Sequence, residues 1–291
     1  MTRLKRVMNV WTLRNLRPDT LGPEIDDPAE VFEHLIRDGY EGLQTEDDDL
    51  LAEVGLKAGL DMSCMGRVLT APSFRPLAAR HKAMGFSQTT LHVGTGFESP
   101  DEAFALVEAL LDAEAAEGYP LIVETHRATL TQDPRRTLDL VALYPQLTFN
   151  ADISHWYAGC ELPYGDLDDK LDRLRPVFDR VRYVHGRIAD SSCLQVPVTD
   201  MTATPVLHFR DIWTRCFAGF LRTAGARDIC FAPELLPNRT VIGGRVIEVN
   251  YARLARMPDG RSEEETDRWQ QAGVLCAIAQ DCFDMAAATI D

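Results

Sequence analysis

Eight short apolar runs, each followed by an amphipathic stretch, alternate along the whole chain, and this alternation limits the possible folds more than any single motif does. The runs predicted as strands are Val7–Leu13, Tyr40–Thr45, Asp61–Val68, Phe86–Val93, Pro120–Thr125, Leu147–Ile153, Val181–Ile188 and Asp228–Pro233. Helical patterns are predicted near residues 28–38, 47–58, 74–84, 101–117, 134–143, 166–179, 209–224 and 262–285. Gly39, Gly59, Gly85, Gly118 and Gly225 each follow a helical stretch, where a left-handed cap is favoured. Ser99-Pro100-Asp101-Glu102 offers an N-cap, a proline and two acids suited to the first turn of a helix. Strict strand–helix alternation implies a parallel sheet. Eight units in 291 residues predict closure into a single (β/α)8 TIM barrel, which takes about 250 residues. The first strand runs into Trp11-Thr12-Leu13-Arg14-Asn15 rather than a glycine-rich turn, so an open dinucleotide-binding sheet is disfavoured.

The barrel is read as one domain over residues 1–291, with long connections after the seventh strand (189–208) and the eighth (235–261). Both leave from carboxyl ends of strands, the face on which barrels place their active sites. Apolar residues at 45% and charged residues at 26% support an ordinary core without disulfides. A formal charge of −15 argues against a nucleic-acid backbone or an anionic membrane as partner. The seven cysteines are odd in number and never spaced C-x-x-C, and they are read as buried, reduced thiols. With no apolar leader-like segment and no membrane-length apolar run, a cytoplasmic location is expected.

Four consecutive strand ends carry the chemistry. The fifth ends in Glu124, the sixth in Asp152, the seventh in His185 and the eighth in Glu234. Taken singly, each acid suits a helix N-cap and the histidine suits a hydrogen-bonded core position. Taken together, three carboxylates in a low-dielectric mouth repel one another unless a cation sits between them. Three oxygen donors and one imidazole suit one divalent ion, Mn²⁺, Mg²⁺, Co²⁺ or Zn²⁺.

The segments VETHRATL, FNADISHW, YVHGRI and APELLP resemble the xylose-isomerase-like TIM barrel superfamily. The resemblance looks closest to its sugar phosphate isomerase/epimerase branch, alongside enzymes of the D-tagatose 3-epimerase, hydroxypyruvate isomerase and inosose dehydratase types. It implies that Glu124, Asp152, His185 and Glu234 ligate the metal, and that Glu124 and Glu234 also shuttle a proton on opposite faces of the substrate. It places His155 and Arg187 on the substrate and makes His92 a pocket histidine. The implied activity is an isomerase or epimerase of a sugar or hydroxy-ketone, working through a metal-chelated enediolate. A lyase acting on a keto-sugar, inosose or 3-keto-glycoside shares the same first step and stays open. Barrels of this superfamily often dimerise, so a homodimer is expected on the resemblance alone.

The remaining residues are read from position. His126 shares strand parity with Glu124 and is expected to support it or to contact substrate. Gln195, in the connection after the seventh strand, is expected above the metal, and Asn250 or Tyr251 is expected to close over the substrate. Trp11 and Trp156 are candidates for apolar walls or plain rim packing. Arg127 reads as a solvated loop charge, His34 and His81 as surface residues, and Glu46–Asp49 as a helix start. An endonuclease IV-type enzyme would share Asp152-x-x-His155 and His92. However, residues 188–211 hold no Asp-x-His for its metal cluster, and the acidic surface opposes DNA. A barrel retained only for binding would not need the complete ligand set.

Overall fold

Each apolar run becomes one strand of a closed barrel in the computed structural model, which describes residues 2–289 apart from 224, 226 and 243. The parallel strands follow chain order: β1 (Leu4–Asn9), β2 (Gly42–Thr45), β3 (Asp61–Val68), β4 (Thr89–Val93), β5 (Leu121–Glu124), β6 (Phe149–Ala151), β7 (Val181–Gly186) and β8 (Ile229–Pro233). Pairing of Leu4 with Ile229 and Arg6 with Phe231 closes the ring between β1 and β8. The first strand starts and ends earlier than its apolar run. Asn9 accepts a hydrogen bond from the Trp11 amide and caps a helical turn, Val10–Leu13, where continued strand was expected.

Strand alternation sorts side chains between two cores. The larger apolar core lies between the sheet and its surrounding helices and includes Phe209, Trp213, Phe217 and Phe231. A separate small cluster, Val7, Ile122, Tyr183, Cys230 and Ala232, lies two or four residues before Asn9, Glu124, His185 and Glu234 on the same strand faces. One further step down, Lys5 reaches Asp61 at 3.0 Å and closes the opposite end with an ion pair. The barrel interior therefore changes from charged floor to apolar plug to polar mouth.

Helix boundaries mostly follow their sequence signals. Ser99 and Glu102 form a reciprocal capping box at the start of helix Pro100–Glu117, and Gly118 ends it with a φ of +58°. The pattern at 166–179 divides into Leu167–Arg173 and Arg175–Phe178, because Pro176 lacks the N–H that a continuous helix requires. A short unpredicted helix, Ser154–Gly159, follows β6. The connection after β7 is shorter than expected, since its helix runs from Thr204 to Thr223. The last helix starts at Arg268 rather than 262 and extends to Ala288. Ser262–Glu264 instead pairs with Leu254–Arg256, and a second hairpin joins Arg239–Ile242 to Arg245–Glu248, so the connection after β8 has structure of its own.

Two burial expectations are corrected. His81 is buried against β4, with Nδ1 2.8 Å from the Thr89 hydroxyl, rather than at the surface. All seven cysteines are free thiols, but Cys160 and Cys193 are exposed. Among the described residues, no helix is long and apolar enough to cross a membrane.

Arg268 ties the barrel mouth together. Its buried guanidinium donates to the carbonyls of Trp11, Thr12, Arg14 and Asn15 in the β1 connection, to Leu235 after β8, and to the Glu264 carboxylate at 2.7 Å. An Arg268→Ala change would orphan these acceptors and leave Glu264 unpaired. The expected loss is about 3–5 kcal/mol of unfolding free energy, measured by denaturant titration. A loss within experimental error would show that the two connections are held independently.

Candidate metal centre

The four sequence-predicted ligands converge. Glu124 is the last residue of β5, His185 lies in β7, and Asp152 and Glu234 directly follow β6 and β8. All four are buried, and one donor atom from each lies within 4.8 Å of the others. His185 Nδ1 sits 3.3 Å from Glu234 Oε2 and 3.5 Å from Glu124 Oε2. Arg187 follows on the same face of the chain, at the rim. Its guanidinium is buried, donates to Asp152 Oδ2 and to His155 Nε2 (2.9 Å), binds Ser154 Oγ through Nε (3.0 Å), and lies 3.2 Å from Glu234 Oε2.

The donor set fits a divalent ion on two grounds. Glu124 Oε1, Glu234 Oε2 and His185 Nδ1 are buried without a hydrogen-bond partner, although they face one another's groups. Such atoms are costly to bury unless something coordinates them. In charge, three carboxylates against one guanidinium leave two negative charges, which one divalent cation neutralises with His185 as a neutral ligand.

The surrounding backbone is pinned. Glu234 donates its amide to the Gly186 carbonyl at 3.2 Å. The Thr12 hydroxyl donates to the Pro233 carbonyl (2.8 Å) and accepts from the Leu235 amide (2.9 Å), bracketing Glu234 on both sides. Gln195 spends both amide atoms on the backbone of Leu236, at 3.0 and 2.9 Å. It therefore braces the β8 connection instead of reaching over the ligands, because the Leu236 N–H and C=O occupy both ends of its amide. Thr131 donates its hydroxyl to the Glu124 carbonyl. Gly186 keeps β7 against β8, since a Cβ there would lie 2.2 Å from the Phe231 ring.

Three histidines line one side of the mouth. The rings of His92 and His126 are 4.0 Å apart, and those of His126 and His155 are 3.8 Å apart. His92 Nδ1 lies 3.3 Å from the Arg67 guanidinium, which can only donate, so the Nε2 proton of His92 points at Glu124 Oε2, 3.1 Å away. His92, Glu124 and His126 also lie close enough together to hold a metal, but His92 and His126 are only partly buried, whereas the four strand-end donors are all buried. Burial pushes His126 down to about 4 despite the nearby Glu124 charge, so it is neutral at pH 7. His126, itself half-buried, donates through Nδ1 to the Arg127 carbonyl, which leaves its other ring nitrogen free to accept.

The β8 connection reaches the same mouth. Tyr251 lies 5.4 Å from the Arg187 guanidinium and accepts a hydrogen bond from Arg127 at 2.8 Å, so Arg127 is tied to this connection and is not simply a solvated charge. Asn250, at φ +54°, turns the chain just before it. Trp156 is fully buried and donates its indole N–H to the Thr131 carbonyl at 2.8 Å, which makes it core rather than a pocket wall. Trp11 is half-buried beneath the Arg14 guanidinium.

No family profile matches the sequence, and no curated protein does. Among solved structures, the chain is similar to a D-tagatose 3-epimerase-like protein over 99% of its length and 100% of that chain (TM-score 0.58, 9% identity). It is also similar to a xylose isomerase-like TIM barrel protein from Mycobacterium smegmatis in complex with magnesium, over 97% and 98% of the two chains (TM-score 0.54, 10% identity). The chain has the xylose isomerase-like barrel fold. A third barrel of this kind, endonuclease IV from Thermus thermophilus, matches over 96% and 99% of the chains (TM-score 0.51, 14% identity). One xylose isomerase-like fold thus carries proteins named for different chemistries, and the likeness speaks to fold rather than reaction.

Electrostatics link the ion to pH. Burial lowers the pKa of His185, but the carboxylates of Glu234 and Glu124 outweigh it and raise the imidazole from 6.5 to about 10. Burial likewise raises Glu234, while His185 and Arg187 bring it down to about 2. The raised His185 value stabilises the ion-free fold fully below pH 6.5, and that contribution is lost as pH rises through about 10. A metal and a proton compete for the same imidazole. Divalent-ion affinity is therefore expected to rise with pH between these limits, with release of about one proton per ion. Calorimetry in two buffers of different ionisation enthalpy counts that proton, and binding with no proton release would contradict the assignment of His185.

Proposed function

We propose that this barrel is a divalent-metal-dependent isomerase or epimerase of a small hydroxy-ketone, of the sugar or sugar-acid class. The observation that carries the reading is the pair Glu124 and Glu234, which arrive from β5 and β8 with β6 and β7 between them and meet at His185. A substrate lying over the four ligands has one carboxylate on each flank. When bound, a divalent ion supplies Lewis-acid polarisation of the substrate carbonyl, worth several kcal/mol in transition-state stabilisation.

The chain's own residues supply the proton handling. In the ion-free chain both glutamates are already ionised at neutral pH: burial raises each, but His92 and His185 outweigh it at Glu124, and His185 and Arg187 outweigh it at Glu234. One carboxylate oxygen of Glu124 would be given to the ion, and the other would take a proton from the carbon beside the carbonyl. For isomerisation Glu124 gives the same proton back to the neighbouring carbon. For epimerisation Glu234 first takes up a proton from a substrate hydroxyl or water and delivers it to the opposite face, and Glu124 then releases its own proton to solvent so that the charge balance closes. Tyr251 covers the mouth and excludes water, while His155 and Arg187 orient the substrate oxygens.

The test is a panel of ketoses and keto-acids incubated with the Mn²⁺-loaded enzyme in D₂O. The expected result is deuterium at the carbon beside the carbonyl. Glu124→Gln and Glu234→Gln, each at saturating metal, should lower kcat by about 10²–10⁴-fold. Accumulation of an unsaturated product with a new C=C absorbance would move the assignment to a lyase. Absence of both exchange and elimination across the panel would contradict an enolising enzyme.

A further inference from the structure

Beneath the ligands, Asn9, Gln44, Thr90 and Asn150 point into the barrel from β1, β2, β4 and β6 toward the ligand His185 on β7, and all are buried. Their hydrogen bonds have only one consistent direction, because one end is a backbone donor. The Trp11 amide lies 2.9 Å from the Asn9 side chain and can only donate, so the atom it meets is Asn9 Oδ1. The Asn9 amide nitrogen therefore faces Gln44, 2.9 Å away, and it too can only donate. The Gln44 atom that receives it must be Oε1, with Gln44 Nε2 left to donate to the Thr90 hydroxyl at 3.1 Å. The same Oε1 lies 2.6 Å from His185 Nε2. A carbonyl oxygen accepts only, so His185 Nε2 keeps its proton, and Nδ1 is the nitrogen turned toward Glu124 and Glu234.

We infer that Asn9 and Gln44 are positioning residues of the metal centre: together they hold His185 in the Nε2–H form and thereby set which nitrogen is offered to a divalent ion. The relay starts at a peptide N–H and passes through two side-chain amides, each of which would face the wrong way if its neighbour turned over. Partners that fix the tautomer of a ligating histidine typically change metal affinity by about 10–100-fold. This inference rests on the metal reading above. If the wild-type chain binds no divalent ion, that reading fails; if the wild type binds and the variants bind equally, only the relay fails.

Asn9→Asp is the sharpest variant. It preserves size, the acceptor for the Trp11 amide and the cap of the first helical turn, but replaces the donor facing Gln44 with an acceptor. The Gln44 amide must then turn its NH₂ toward the new carboxylate and His185, which drives the imidazole proton onto Nδ1. The sign of the effect separates this from plain electrostatics, since an added negative charge near a cation site would by itself tighten binding.

The experiment titrates the purified full chain with Mn²⁺ and with Zn²⁺, checking each variant by circular dichroism and thermal unfolding. Asn9→Asp should weaken both ions by about 10–100-fold. Gln44→Leu should weaken them likewise, whereas Gln44→Glu, which still accepts from His185 Nε2 and Asn9, should retain binding. Nitrogen-15 NMR of the Zn²⁺-loaded wild type should show His185 protonated at Nε2. An Asn9→Asp chain that is folded and binds as tightly as wild type, or an unprotonated Nε2 in the loaded wild type, would overturn the relay. If Asn9→Asp does not fold, the contrast between Gln44→Leu and Gln44→Glu decides, and equal affinities for those two would overturn it.

Discussion

Three carboxylates meeting in a buried mouth are the constraint on which the rest of this molecule depends. Glu124, Asp152 and Glu234 are each nearly or fully out of contact with water, within reach of one imidazole and one guanidinium. Like charges in a low-dielectric site separate or take up protons unless cations hold them. Arg187 supplies one permanent positive charge, and the remaining deficit has the magnitude of a divalent ion. The orphaned atoms of Glu124, Glu234 and His185 lie where such an ion would bind.

The architecture around this centre holds the donors in place from several directions. Strand alternation puts an apolar plug and a polar layer directly beneath them, so each ligand's position is set by what lies two residues earlier on its own strand. Thr12 and Gln195 hold the backbone on either side of Glu234, Thr131 holds the carbonyl of Glu124, and Gly186 permits β7 and β8 to approach. Arg268 then fastens the connections after β1 and β8, which form part of the rim. Most of these supports are side chain-to-backbone bonds, which fix a ligand's position without competing for the ion.

Much of the fold is legible in the sequence because its signals are periodic or local. Alternating strands and helices, the Ser99 cap and the four acidic or imidazole strand ends can each be read from a few neighbouring residues. Asn9, Gln44, Thr12 and Arg268 carry no such signal. Gln44 and His185 are 141 positions apart, and Arg268 and Thr12 are 256 apart, so their roles exist only once the barrel closes. Gln195, Trp156 and His81 illustrate the complementary difficulty. Chain position locates each near the correct element, but orientation is decided by which buried backbone or hydroxyl group lacks a partner. The hairpins after β8 escape a sequence reading because Gly243-Gly244 and Asp259-Gly260 fall within a stretch that otherwise reads only as a long connection.

The most direct measurement of the central claim is anomalous diffraction from crystals of the chain soaked with Mn²⁺, recorded at the manganese edge. The account predicts one strong peak bounded by carboxylate oxygens of Glu124, Asp152 and Glu234 and by Nδ1 of His185, with Gln44 on the far side of the ring. A peak elsewhere in the barrel, ligation through His185 Nε2, or no peak at a saturating concentration would contradict it.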